Sequence, residues 1–64
     1  MVKNGALLRE LRKIAKDKGL TLDLIRHGAN HDVYLLGSVR LIVARHSDIP
    51  EPTANGIIKE ARKA

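Results

Sequence analysis

The chain has no cysteine, no tryptophan and no phenylalanine. Without cysteine, neither disulfide staples nor thiolate metal sites are open to it. Its single aromatic residue, Tyr34, counts against a stacking reader of single-stranded nucleic acid, which needs several aromatic platforms. No apolar stretch approaches the roughly 20 residues that a membrane span requires. Charges also interrupt Met1 to Lys18 throughout, so neither a transmembrane segment nor a signal peptide is expected, and the chain reads as cytoplasmic. Acidic residues are few: 7 Asp and Glu stand against 12 Lys and Arg, for a net charge of +5. On 64 residues this is a dense positive field, which favours polyanions such as nucleic acid or an acidic protein surface. A chain of this length is one domain, residues 1–64, near the lower limit for folding alone. With no staple available, its core must be well patterned or completed by a partner.

The patterning is present. Leu7, Leu8, Leu11, Ile14 and Ala15 recur at steps of three and four, which predicts a helix over residues 5–18. Arg9, Arg12, Lys13 and Lys16 fall on its opposite side. Asn4 is a candidate N-cap, and Gly19 supplies a left-handed stop. From Leu20 to Arg26 the period changes to two, with Leu20, Leu22 and Leu24 alternating with Thr21 and Asp23. Gly28, Ala29 and Asn30 form a turn cluster. His31 to Leu36 reads as a second strand, Gly37-Ser38 as a hairpin turn, and Val39 to Ala44 as a third strand with Val39, Leu41 and Val43 on one side. Turns this short make the three strands antiparallel neighbours. Residues 45–52, with Pro50 and Pro52, read as loop. A last helix fits Thr53 to about Lys63, its stripe made of Ala54, Ile57, Ile58 and Ala61. The expected fold is α+β in the order α-β-β-β-α, a three-stranded antiparallel sheet with both helices on one face. This is the layout of double-stranded-RNA-binding domains.

The residues able to carry chemistry are the histidines. His27 and His31 bracket the first turn and His46 follows the third strand, so the meander puts all three at one end of the sheet. Imidazole titrates near neutral pH and can take a proton from an RNA 2′-hydroxyl or give one to the leaving oxygen. The 2′-hydroxyl is then the nucleophile, and no metal or cofactor is required. Arg26, Arg40 and Arg45 stand beside the histidines in sequence and suit a phosphate. Arg9, Arg12, Lys13 and Lys16 suit sequence-independent phosphate contacts. Each feature also has a plain structural meaning: surface or turn histidines, a solvated helix face, a core tyrosine at Tyr34. Asp32 either orients a histidine or simply ends a strand. Three histidines at irregular spacing without cysteine do not form a zinc pattern.

The stretch Arg26-His27-Gly28-Ala29-Asn30-His31-Asp32-Val33-Tyr34 resembles the strand-turn-strand motif of the HicA toxin family. Val43-Ala44-Arg45-His46-Ser47-Asp48-Ile49 resembles the family's second motif, which usually carries proline where this chain has Ala44. The closing helix, with Thr53, Ile57 and Ile58, also fits, so the resemblance spans nearly the whole chain. It implies a double-stranded-RNA-binding-like fold and a toxin that cleaves mRNA without metal and so blocks translation. It also implies a HicB-type antitoxin that covers the active site. The family's catalytic histidine falls on His31, and the histidine of the second motif on His46. The alternative left open by the residues themselves is a module that holds structured RNA without cutting it.

Overall fold

The computed structural model describes residues 1–45 and 47–64. In chain order the elements are β1 (Val2–Lys3), α1 (Asn4–Asp17), β2 (Leu22–His27), β3 (His31–Leu36), β4 (Val39–Ala44), β5 (Asp48–Ile49) and α2 (Glu51–Arg62). β2, β3 and β4 form an antiparallel sheet in that spatial order, and β1 pairs antiparallel with β5. The expected α+β arrangement of three strands and two helices is present, and β3 and β4 run over the residues expected for them.

The core lies between one sheet face and both helices. Leu7, Leu11, Ile14 and Ala15 of α1 meet Leu36, Leu41 and Val43 of the sheet, with Ala54 and Ala61 of α2 and Ile49 of β5 completing the cluster. Tyr34, opposite Leu41, packs against the same cluster and so belongs to the core side. The molecule measures 28 × 22 × 15 Å, thin because among the described residues no second layer covers the other sheet face. Gly37 turns the β3–β4 hairpin at φ +63, a conformation open chiefly to glycine.

Three expectations are corrected. Asn4 does not cap α1: Lys3 holds the cap position with no capping side-chain hydrogen bond, and the Asn4 amide instead donates to the Ala44 carbonyl at 2.7 Å. Residues 45–52 are not all loop. Asp48–Ile49 is a short strand, with Val2 opposite Ile49 and Lys3 opposite Asp48, so an apolar side chain in a polar stretch joins the core. The last helix begins at Glu51, not Thr53. Pro52 does not delay it, since a first-turn N–H has no helical partner to lose, and Glu51 complements the helix dipole. Asn55-Gly56 passes through helix as expected.

Candidate active site

The register of the sheet sorts the candidate residues by face. Leu36, Leu41 and Val43 point to the helices, so by alternation His31, Val33 and Leu35 of β3 and Arg40, Ile42 and Ala44 of β4 point outward. Ile42 is 62% exposed, which marks this face as uncovered.

In a regular β2, Arg26 would keep phase with Leu22 and Leu24 and turn toward the helices. The pairing shifts between Leu24 and Arg26 and leaves Ile25 as an extra residue. Leu22 and Leu24 stand opposite Leu36 and Tyr34, whereas Arg26 stands opposite the outward Val33. The bulge therefore moves Arg26 onto the face that carries His31. Arg26, Gly28, His31, Val33 and Ile42 together line an open hollow of about 340 Å³. It combines an imidazole, a guanidinium and an apolar floor.

The turn before His31 is closed by backbone. The Gly28 N–H donates to the His31 carbonyl at 2.9 Å, and the Arg45 N–H donates to the Asn30 carbonyl at 3.1 Å. A Cβ on Gly28 would lie 2.7 Å from that His31 oxygen, a backbone atom with nowhere to retreat. Gly28→Ala is therefore expected to cost about 1–3 kcal/mol, the usual range for overpacking, and to distort the turn. Denaturant unfolding checks this, and an unchanged midpoint would contradict it.

No family model, curated protein or solved structure matches this chain. What the site can do follows from its own geometry. That geometry does not gather all the candidates. Arg40 shares the outer face but stands opposite Leu35, outside the lining of the hollow. Arg45 is turned to the turn itself, its Nη1 donating to the Gly28 carbonyl at 2.9 Å. Arg9, Arg12, Lys13 and Lys16 are exposed on α1, in the layer on the other side of the sheet; Lys13 lines a separate groove with Glu10, Asp17, Lys18 and Arg62. These four do not form one surface with His31. His27 stands opposite Asp32 on β3, and its Nδ1 lies 2.9 Å from Asp32 Oδ1, so Asp32 does face a histidine. His46 lies outside the described residues. Among those described, no group of three or more His, Asp or Glu is placed to hold a metal ion, and no helix is long and apolar enough to cross a membrane.

Proposed function

We propose that the chain is a metal-independent endoribonuclease acting on mRNA, the toxin half of a pair whose other half is a HicB-type antitoxin. The observation that carries this reading is the hollow on the bare sheet face, where His31 and Arg26 converge over Val33 and Ile42. The sequence resemblance supplies the toxin context, the antitoxin and a site in the cytoplasm. In the reaction the RNA 2′-oxygen attacks the adjacent phosphorus and the bond from phosphorus to the 5′-oxygen breaks. The 2′-hydroxyl proton leaves to a base and the 5′-oxygen gains one from an acid. His31 serves one of these transfers, with His46 the candidate for the other. Arg26, and Arg40 further along the face, hold the phosphate and balance its growing charge. The nucleophile is built into the substrate, so neither metal nor cofactor is needed. An antitoxin seated on this face would cover the exposed Ile42 together with His31.

The test is incubation of the purified chain with a long single-stranded RNA in excess EDTA. Cleavage that leaves 2′,3′-cyclic phosphate and 5′-hydroxyl ends is the expected result. Intact RNA, held on the protein and released by salt, would instead establish a binding module.

A further inference from the structure

His31 is the first residue of β3, at a strand end beside a short turn, where backbone ordinarily frays. One group of side chains lies against that turn and takes no part in the hollow. Asp32, next to His31, points to the other face of the sheet and is 17% exposed. Its Oδ1 is shut off from solvent and has no well-directed hydrogen bond among the described residues. It lies 2.9 Å from His27 Nδ1 on β2 and 3.8 Å from Arg45 Nε just beyond β4. One carboxylate on the central strand thus lies against a group on β2 and another just past the end of β4. Arg45 in turn grips the turn twice, through Nη1 to the Gly28 carbonyl and through its backbone N–H to the Asn30 carbonyl.

We propose that Asp32 and Arg45 are positioning residues, a brace across β2, β3 and β4 that fixes the turn carrying His31 and thereby aims its imidazole into the hollow. This rests on the ribonuclease reading above. A carboxyl oxygen shut off from solvent is costly to leave unpartnered, and here its neighbours sit on β2, just before the turn, and just beyond β4, on a residue that also bonds the turn. The brace contributes little to overall stability. His27 and Arg45 are 58% and 41% exposed in their side chains, and polar contacts with so much solvent around one partner hold a fold together weakly. Its effect is local, on the angle and distance at which His31 meets a phosphate, where a displacement of about 1 Å can cost up to roughly 100-fold in rate.

The test uses Asp32→Asn, which keeps shape and removes charge, and Arg45→Lys, which keeps charge and removes the fork that reaches both Asp32 and the Gly28 carbonyl. Three quantities are measured: amide exchange at Gly28, the thermal midpoint, and kcat and KM for RNA cleavage. In both variants Gly28 exchange is expected to speed up about tenfold with the midpoint nearly unmoved, because the opening is local. We expect kcat to fall about 10- to 100-fold while KM holds within about twofold. Unchanged exchange, or faster exchange with kcat intact, overturns the proposal. A raised KM at constant kcat would make Arg45 a phosphate contact instead. Loss of cooperative folding in both variants would make the cluster part of the fold and also overturn it. If the wild-type chain cuts no RNA, the ribonuclease reading falls, and Gly28 exchange alone decides whether the brace exists.

Discussion

On the proposed ribonuclease reading, His31→Ala is expected to slow RNA cleavage by about 10²- to 10⁴-fold, the usual loss when a positioned proton-transfer group is removed. The fold should not notice. His31 is exposed, lies on the uncovered face, and is absent from the core cluster. RNA binding should persist as well, because Arg26 and Arg40 remain on that face. The informative measurement is a single-turnover rate in EDTA beside a binding isotherm for the same RNA. A lower rate with equal affinity separates chemistry from binding. Equal rates for both proteins would remove His31 from the mechanism and shift attention to a different proton carrier.

The second large effect concerns the core. Leu11 is 0% exposed and sits among α1, the sheet and α2. Leu11→Ala is expected to cost about 2–5 kcal/mol, from lost burial and from the cavity left behind. At about 0.05–0.15 kcal/mol per residue, a chain of this size holds only some 3–10 kcal/mol in total. The variant should therefore melt roughly 8–40 °C lower, or fail to fold at all, given about 4–8 °C per kcal/mol for small domains. Leu11→Met, which conserves volume, should lose less than about 1.5 kcal/mol. A thermal melt followed by circular dichroism distinguishes them. Similar midpoints for Leu11→Ala and wild type would mean that the two-layer core is not what holds the domain.

The parts of the fold that repeat locally were legible in the sequence. Alternation at Val39, Leu41 and Val43 marked β4, and the three-four spacing of Leu7, Leu11, Ile14 and Ala15 marked α1, because each pattern reflects one face turned to one core. What depends on distant partners was not. The pairing of Val2 with Ile49 joins segments too short to show a period. Asn4 reads as a cap by its type, yet its amide finds a carbonyl 40 residues away. The site divides in the same way. His31 was marked by its turn, and Arg26 by its neighbours in sequence. That the two share a face follows from the extra residue at Ile25, and a bulge leaves no local sign in a strand of mixed residues. For Arg45 the sequence shows a charge but not the Gly28 carbonyl that takes one of its donors.

The thinness of the molecule has an electrostatic consequence. Its short axis is 15 Å, between the screening length of about 8 Å at physiological salt and about 30 Å at 0.01 M. In dilute buffer, Arg9, Arg12, Lys13 and Lys16 act through the slab and add to the potential felt in front of His31, though they touch nothing there. The whole +5 then steers an approaching polyanion. At physiological salt that reach is cut off, and only charges on the same face, Arg26 and Arg40 among them, still count. Encounter with a polyanion is thus governed by the total charge in one regime and by the local arrangement in the other.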